Sequence, residues 1–558
     1  MRKNIFIIVL FLTAFLFNGC NEDLNLAPLD TVSDPSFWKS KEDFEKATTE
    51  FYHSLGSASN GGKDQNSDIT VGNVSNNVSA GTYIAPSESG TWNNSYAMIR
   101  ATTRVTKNYE EAADIQEQTA RYAAEARFFR ARAYFDLLSS FGDVPLIKTV
   151  LDIDSEELFA PRIPRAEVVA YIFEDLDWAV SRLPKESELT DKEKGRITKG
   201  AALALLSRVA LFEGTWSKFH GTGSADSYLA KCIEASRQLI SLGEYELYKH
   251  PDGPAASYYN LFIEGGQGSK ESILARKYSE VLNIHHNAAR WVETHFNSPT
   301  KKLADMYLCT NGLPIDNGNN NLFKGYDTRA SEFEDRDPRM SQTFKVPGIP
   351  VIWNEAPRIY EVHIGGGTNG PTKSGYQAFK FQSGTKSAAQ GNSYYDYMEY
   401  RFGEVLLNLA EALYEKDDAI SDADLDATIN KLRDRAGMPD LTNAFVAANG
   451  LNMQAEIRRE RTIELAYEGF RHSDLRRWKS AETELPVALL GVKFVGTEWP
   501  TIPPNDGIVV GVDIQVDSDG FVIADDKANR KFEQKHYLFP IPLNQIQLNP
   551  NLEQNSGW

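Results

Sequence analysis

The sequence predicts a mainly α-helical chain, interrupted by long irregular insertions and by a few short strands or hairpins. In two blocks of the chain, apolar residues recur at spacings of three and four, which is the period of an amphipathic helix. Between and after these blocks lie stretches rich in glycine, asparagine and proline, which favour turns and loops. These observations predict packed helices joined by unusually long connections.

The first helical block is predicted within residues 34–242. It opens with loops, since residues 56–91 are rich in glycine, serine and asparagine. Apolar positions then recur from Thr102 to Leu137, and Gly142 ends this helix. Three further helices are expected, at residues 168–180, 200–212 and 228–242.

The second helical block is predicted within residues 396–480, with helices at residues 400–415, 424–436 and 453–468. Several helices place small residues beside bulky ones, as in Ala204 with Leu205 and Leu407 with Ala410. This pairing is similar to tetratricopeptide-type helix pairs, although no regular period of about 34 residues is present. Such pairs bury their faces only against neighbours, so we expect a stacked, tetratricopeptide-like scaffold.

Two irregular segments, residues 243–395 and 481–558, accompany the helices. A long insertion without regular structure is uncommon unless it is functional, so we expect the ligand site in residues 243–395. In the second segment, the turn Asp517-Ser518-Asp519-Gly520 predicts a hairpin with strands at 512–516 and 521–523. The alternative is a calcium loop, but the ligand pattern that should follow is absent.

Residues 1–19 predict a signal peptide. Arg2 and Lys3 precede an apolar run at residues 5–17, which is shorter than the ~20 residues needed to span a bilayer. A glycine directly before Cys20 resembles the lipobox of bacterial lipoproteins, which implies cleavage at that cysteine and its acylation, for example with palmitate. An ordinary secretory signal cut elsewhere is the alternative.

The acidic segment Asn21-Glu22-Asp23 resembles the surface-export signal of Bacteroidetes lipoproteins. Residues 20–33 would then be a lipidated N-terminus and polar tether, and two acyl chains suffice for stable anchoring. We therefore expect a chain that is anchored to the outer membrane, exposed at the cell surface, and not membrane-spanning.

The formal net charge is −18, which argues against nucleic acid as a partner because phosphate binding needs a basic face. The same charge disfavours a polyanionic ligand, so a neutral one is expected. With Cys20 acylated, only Cys232 and Cys309 remain, and Cys232 lies on an apolar helical stripe that predicts burial.

A series of motifs extends along most of the chain: Glu125-Ala126-Arg127-Phe128-Phe129-Arg130, Phe141-Gly142-Asp143-Val144-Pro145-Leu146, Arg336-Asp337-Pro338-Arg339, Glu468-Gly469-Phe470-Arg471 and Tyr537-Leu538-Phe539-Pro540. Together they resemble the SusD/RagB family of Bacteroidetes outer-membrane lipoproteins. The resemblance implies a single domain over residues 34–558. It also implies non-catalytic capture of a nutrient, typically an oligosaccharide or polysaccharide, by a lid on a SusC-like TonB-dependent transporter. No cofactor and no metal are expected.

A sugar offers apolar faces to aromatic rings and hydroxyl groups to polar side chains. Aromatic and polar residues in irregular segments are therefore the candidate glycan-binding residues: Asp64, Asn66, Asp68, Trp92, Trp291, Cys309, Trp353, Arg358, Tyr360, Tyr394 and Tyr395. Trp92 resembles a family position where a tryptophan stacks on sugar. We expect Trp92→Ala to weaken glycan binding by ~1–3 kcal/mol while the fold survives.

Each of these candidates has a structural alternative. Trp92 could staple its loop to the following helix, while Trp291, Trp353 and Cys309 could be core residues. The aspartates could belong to a solvated loop. His285-His286 could suggest a metal site, but no third ligand is evident.

Residues 456–477 carry arginines and glutamates three and four apart, which predicts a helix with ion pairs between successive turns. A catalytic carboxylate pair is the alternative, since a glycoside hydrolase needs two carboxylates at a defined separation. No such pair stands out. A purely structural transporter partner, and a binder of a non-glycan nutrient such as peptide, also stay open.

Overall fold

A computed structural model describes residues 37–57, 64–293, 297–365 and 372–558. The predicted signal peptide, Cys20 and the tether at residues 20–33 lie outside these ranges.

The helices of the described ranges are α1 (Lys41–Thr49), α2 (Gly90–Glu111), α3 (Gln116–Phe141), α4 (Arg165–Arg182), α5 (Lys199–His220), α6 (Ala225–Ser241), α7 (Pro254–Leu261), α8 (Ala288–Glu293), α9 (Lys301–Met306), α10 (Pro338–Thr343), α11 (Lys386–Ala389), α12 (Phe402–Asp417), α13 (Asp422–Ala427), α14 (Ile429–Ala436), α15 (Asn443–Ala448), α16 (Met453–Glu464), α17 (Arg471–Arg477), α18 (Ala481–Glu484) and α19 (Leu543–Leu548). The strands are β1 (Thr70–Gly72), β2 (Ser272–Arg276), β3 (Asn297–Pro299), β4 (Val351–Trp353), β5 (Ala356–Arg358), β6 (Tyr397–Arg401), β7 (Leu489–Lys493) and β8 (Phe521–Asp525).

The helices from α2 to α6 each pack on the next, and α12 joins them by packing on α5, α6 and α16. Helix α5 lies in the middle of this stack and is buried along nearly its whole length, because small residues such as Ala201 and Ala204 let neighbouring helices approach closely. The predicted mainly helical scaffold of stacked helix pairs is confirmed.

The single helix predicted from Thr102 to Leu137 is in fact two helices. Helix α2 begins earlier, at Gly90, where the Ser89 side chain accepts the backbone N–H of Trp92 and caps the helix. It ends at Glu111, because the backbone of Ala112 leaves the helical region before α3 starts. The two apolar stripes follow each other so closely that they look continuous in sequence.

A second hydrophobic core lies beneath the irregular segments. It is rich in aromatic residues, among them Tyr258, Tyr307, Phe344, Tyr376 and Trp499. The strands of the described ranges form four two-stranded antiparallel sheets: β1 with β3, β2 with β6, β4 with β5, and β7 with β8. The long insertion is therefore a packed part of the molecule rather than a set of solvated loops.

The predicted hairpin is only partly correct. Its turn is present, since Asp517 Oδ1 accepts the backbone N–H groups of Asp519 at 3.0 Å and Phe521 at 2.9 Å. The main partner of β8, however, is the distant strand β7, and the predicted first arm adds only an isolated bridge from Val516 to Val522. The Asp517 carboxylate thus stabilises the turn. Within the described ranges, no cluster of three or more metal-binding side chains is found.

Candidate functional site

Asp64 and Asp68 are buried, contrary to the prediction that they bond sugar hydroxyls from a loop. Asp68 forms a two-pronged ion pair with Arg471, with nitrogen–oxygen distances of 2.8 and 2.7 Å. Asp64 accepts the backbone N–H groups of Gly469 and Arg471, both at 3.3 Å. Burial raises the pKa of Asp64 to about 6, against the lowering effect of those hydrogen bonds. Both carboxylates hold their loop against the start of α17.

Trp92 is a core residue in the first turn of α2, with only 4% of its surface exposed. Its ring packs edge-on against Phe141, with centroids 5.3 Å apart, and lies tilted on Tyr96 at 5.0 Å. No face of the ring is free for a sugar, so the expected stacking role is corrected. The alternative holds, because Trp92 staples the loop and α2 to the end of α3.

Cys309 and Tyr395 are also buried, which corrects their assignment to the site. The Asn320 side chain donates to Cys309 Sγ at 3.1 Å. The Tyr395 hydroxyl donates to the carbonyl of Phe381, and its ring meets His286 edge-on at 4.5 Å. Burial lowers the pKa of His286 to about 4 and keeps its imidazole neutral at pH 7. Cys232 is buried as expected.

Asn66 and Tyr394 keep part of their surface exposed, and their role as ligand-binding residues stays a prediction. Asn66 accepts a hydrogen bond from the Asn76 side chain at 3.0 Å. The Tyr394 hydroxyl lies 3.5 Å from Asn283 Oδ1, and its ring faces that of His285. These two residues lie on different segments, and no contact joins them.

The remaining four candidates lie around α8 and the β4–β5 hairpin, and we call Trp291, Trp353, Arg358 and Tyr360 the aromatic cluster. Trp353 of β4 packs on Ala289 of α8. The half-buried Trp291 belongs to the same helix. Arg358 of β5 keeps 56% of its side chain exposed, and its guanidinium lies 4.4 Å from the centre of the Tyr360 ring. The insertion thus brings these four candidates to one region, where Trp353 and Tyr360 are buried, contrary to their expected contact with sugar, and only Trp291 and Arg358 keep exposed surface.

Two residues absent from the predicted set, Glu293 and Lys345, hold the aromatic cluster together. Lys345 Nζ donates to Glu293 at 2.8 Å and lies 3.7 Å from the centre of the Tyr360 ring. Glu293 also accepts a hydrogen bond from Arg358 at 3.3 Å. Burial lowers the pKa of Lys345 to about 8, although Glu293 opposes this effect. No sequence pattern predicts this pair, because 52 positions separate its members.

The exposed side of the hairpin adds apolar surface. Ile352 is 51% exposed and Ile359 53% exposed, next to the exposed Arg358. A surface that combines apolar side chains, an aromatic ring and a fixed guanidinium is suited to the apolar faces and hydroxyl groups of a saccharide.

Most ion pairs of the charged stretch at residues 456–477 do not join successive turns of one helix, which corrects that prediction. Three of its carboxylates pair with cations from distant segments and belong to a buried set that we call the arginine–carboxylate cluster: Arg339, Lys380, Arg401, Arg433 and Arg435 with Glu271, Asp337, Glu460, Glu464 and Glu468. Glu464 alone contacts Arg339 at 3.0 Å, Arg401 at 2.8 Å and Arg435 at 2.6 Å. Five cations face five carboxylates, so the buried charge is balanced.

Comparison with known proteins places the chain in a family. Residues 271–558 match the model of the SusD family. The chain belongs to the SusD family. Residues 31–211 match a second model, described as starch-binding and associating with the outer membrane. The resemblance stated from the sequence motifs is confirmed.

Similar proteins in the SusD family extend over nearly the whole chain. A SusD-like protein of Formosa agariphila is 25% identical and aligns over 100% of this chain and 99% of its own length. One of Bacteroides ovatus is 24% identical over 85% of this chain and 82% of its own. The crystal structure of a SusD-like protein from Bacteroides fragilis matches with a TM-score of 0.75 and 24% identity, covering 96% of this chain and 100% of the other. A SusD-like carbohydrate binding protein from the same species matches with a TM-score of 0.73 and 24% identity, covering 93% and 100%.

As for membrane contact, no helix in the described part of this SusD-family chain combines the length and apolar character required to cross a bilayer.

A further buried carboxylate, Glu411 of α12, makes part of the chain's stability depend on pH. Burial opposes its ionisation, but Arg477 and Arg461 outweigh burial and lower the pKa of Glu411 from 4.5 to about 2. The Trp478 indole also donates to this carboxylate at 2.6 Å. Because the folded-state pKa is depressed, Glu411 stabilises the fold above pH 4.5, and this contribution is lost as the pH falls toward 2.

We expect Glu411→Gln to be less stable than the wild type at pH 7, with a stability gap that narrows as the pH falls from 4.5 toward 2. Urea unfolding of both proteins across this range measures the gap. A gap that stays constant with pH would contradict the depressed pKa.

Proposed function

We propose that this chain captures saccharides at the outer face of the outer membrane, without catalysis, and passes them to a SusC-like TonB-dependent transporter. Membership of the SusD family supports the proposal, as does the match to a model described as starch-binding and associating with the outer membrane. A structural neighbour described as a SusD-like carbohydrate binding protein supports it further. The lipid anchor on Cys20 belongs to the same proposal.

The observation that carries the proposal is the aromatic cluster. Arg358 is anchored by Glu293 at 3.3 Å and lies on the Tyr360 ring, so its remaining N–H groups are held in place beside exposed apolar surface. A planar guanidinium donates in a fixed geometry, which suits vicinal hydroxyl groups. Trp291, half-buried on the adjoining helix, offers part of an indole surface. The region therefore combines stacking and hydrogen bonding, the two interactions that a sugar requires.

A role in binding rather than in hydrolysis is supported by the state of the carboxylates in residues 456–477. Glu456, Glu460, Glu464, Glu468 and Asp474 each form an ion pair with an arginine. Although burial opposes it, the cations around Glu464 and Glu468 lower the pKa of both carboxyl groups, which makes them poor proton donors, whereas a glycosidase needs one carboxylic acid to protonate the leaving group. The charged stretch thus has a structural purpose.

We expect Arg358→Ala and Trp291→Ala each to weaken binding of a neutral oligosaccharide by about tenfold or more, since truncating an anchor in a binding site costs ~1–3 kcal/mol. Isothermal titration calorimetry over a panel of neutral oligosaccharides identifies a ligand and then measures the variants. The control is Phe159→Ala, which removes a ring that is 50% exposed elsewhere on the surface.

If Arg358→Ala and Trp291→Ala bind the oligosaccharide as tightly as the control Phe159→Ala does, the aromatic cluster is not part of the site. Absence of binding to the whole panel would favour a structural partner of the transporter, and new reducing ends in the incubated sugars would favour a hydrolase.

A further inference from the structure

A second cleft, with a volume of about 730 Å³, lies apart from the aromatic cluster and shares no residue with it. Its lining comes from α9, α16, α17 and the segment between Ile315 and Tyr326. We call it the basic cleft, because its charged lining residues are five cations and three carboxylates: Lys301, Lys302, Arg458, Arg459 and Arg471 with Asp305, Asp316 and Glu484. Lys301, Lys302 and Arg471 are already paired with Asp305, Glu484 and Asp68, so Arg458 and Arg459 are the cations that this cleft can offer to a ligand.

Arg459 of α16 is fixed in the wall of the basic cleft. Its Nε donates to the buried Glu456 at 3.3 Å, and its Nη1 lies 3.5 Å from the carbonyl oxygen of Met306. Among the described residues nothing accepts a hydrogen bond from its Nη2. The guanidinium is therefore held from behind and keeps one N–H₂ group for a ligand, with 22% of the side chain exposed.

The neighbouring Arg458 is fixed in a similar way. Its Nη2 donates to the buried Glu415 at 3.1 Å, and its guanidinium stacks over the rings of Trp478 at 4.7 Å and Phe219 at 5.0 Å. Its Nη1 has no acceptor within the described ranges. Glu415 and Glu456 do not line the cleft, so they bind the two arginines from behind and leave the remaining guanidinium N–H groups for a ligand.

The rest of the lining is suited to a sugar ring. Phe323 and Tyr326 are partly exposed aromatic residues. Asn452 keeps its amide N–H₂ group as a donor, since its oxygen accepts from Ala455, and Gln454 keeps its amide oxygen as an acceptor, since its N–H₂ group donates to Glu415. A volume of about 730 Å³ lies within the range of small-molecule sites, roughly 300–1,000 Å³. Aromatic faces beside amide groups match the apolar faces and hydroxyl groups of a sugar ring, which favours a saccharide over an acidic peptide.

We infer that the basic cleft binds a saccharide that carries carboxylate groups, such as an oligomer of a hexuronic acid. Arg458 and Arg459 donate to the carboxylate, since anchored guanidinium groups match its planar, two-oxygen geometry. Phe323 and Tyr326 contact the apolar face of the ring. The net charge of the chain predicts a neutral ligand, whereas the two anchored guanidinium groups of this cleft favour an acidic one.

The probe is a trimer of galacturonic acid, with a trimer of galactose as its neutral counterpart, in calorimetric titrations of the folded full-length mature chain. We expect the acidic trimer to bind at least tenfold more tightly than the neutral one. Its affinity should fall between about 50 mM and about 300 mM salt, because salt screens exposed charges. Failure of the acidic trimer to bind, or equal affinity for both trimers, would overturn the inference.

Two variants on different parts of the lining locate the binding. Arg459→Gln and Phe323→Ala should each weaken the acidic trimer by at least tenfold, and the matched control Arg237→Gln, whose side chain is 56% exposed elsewhere, should not. Thermal unfolding checks each fold. If Arg459→Gln fails to fold because Glu456 loses its partner, Phe323→Ala, which keeps both arginines, decides the question. Unchanged affinity in the folded lining variants would overturn the assignment.

Two further titrations distinguish this inference from binding of a peptide and from the proposed saccharide site at the aromatic cluster. Tighter binding of a poly-glutamate peptide than of the acidic trimer would overturn it in favour of a protein partner. Trp291→Ala should leave the acidic trimer unaffected, so the basic cleft and the aromatic cluster can fail independently.

Discussion

Replacement of Glu464 by glutamine is expected to lower the free energy of unfolding by about 3–5 kcal/mol, the usual cost of removing one partner from a buried ion pair. Glu464 lies at the centre of the arginine–carboxylate cluster and is fully buried. Burial alone would raise its pKa, but the guanidinium groups of Arg435, Arg401 and Arg339 outweigh burial and hold the pKa far below its ordinary value. The carboxylate is thus ionised at any pH of interest.

The size of the effect follows from the charge balance of the cluster. Among the described residues, Arg435 has Glu271 as its one other carboxylate partner, at the longer distance of 3.4 Å, whereas its contact with Glu464 is 2.6 Å. Without the Glu464 charge, a guanidinium would stay buried and poorly compensated, which is costly in a low-dielectric interior. Because Arg339 belongs to the long insertion and Glu464 to α16, we expect the packing of the insertion on the helices to weaken as well.

Urea denaturation followed by circular dichroism measures this loss. The control is Glu246→Gln, which removes an exposed carboxylate from a surface pair with Lys270 and should leave stability nearly unchanged. A loss of stability below about 1 kcal/mol for Glu464→Gln is the size expected for an exposed ion pair, and it would contradict the buried network.

Trp92→Ala is expected to destabilise the fold by about 3–5 kcal/mol, as for other large-to-small substitutions of core aromatic residues. The indole fills the space between Tyr96 and Phe141, so its removal leaves a cavity where α2 meets α3. This expectation replaces the prediction from sequence, in which the same substitution weakened glycan binding and left the fold intact.

The two outcomes for Trp92→Ala are measurably different. Thermal and urea unfolding of the variant should show the loss of stability, and calorimetry at a temperature where the variant is still folded should show unchanged oligosaccharide affinity. Phe159→Ala, at an exposed ring, is again the matched control. Normal stability together with lost affinity would return Trp92 to the binding site.

Most of the helical scaffold is predictable because it is a local property. The spacing of apolar residues defines α4, α6, α12 and α16 to within about four residues, since a helix repeats every 3–4 positions whatever it packs against. The start of α5 is also predicted, but that helix continues to His220, beyond the predicted end at residue 212. The break between α2 and α3 was missed for the same reason, because one short irregular turn does not interrupt the spacing.

The candidate site is less predictable, because exposure depends on contacts between distant segments. The local sequence around a tryptophan or an aspartate in a polar stretch does not show whether its side chain faces solvent or the core. Asp68 is buried only because Arg471, 403 positions later, folds onto it. Trp353, Arg358 and Tyr360 lie beside the helix that carries Trp291 only because α8 and the β4–β5 hairpin pack together.

By itself the sequence determined the helical class, the family motifs and the expectation of an exported, lipidated chain, since each depends on residues close together in the chain. Only the tertiary structure decided which charges are paired and which rings are buried. Arg339 lies 125 positions before Glu464 and Arg401 lies 63 before it, so no local pattern links them. Their contacts arise because a buried charge must find a partner, and that partner is chosen by the packing of the whole chain.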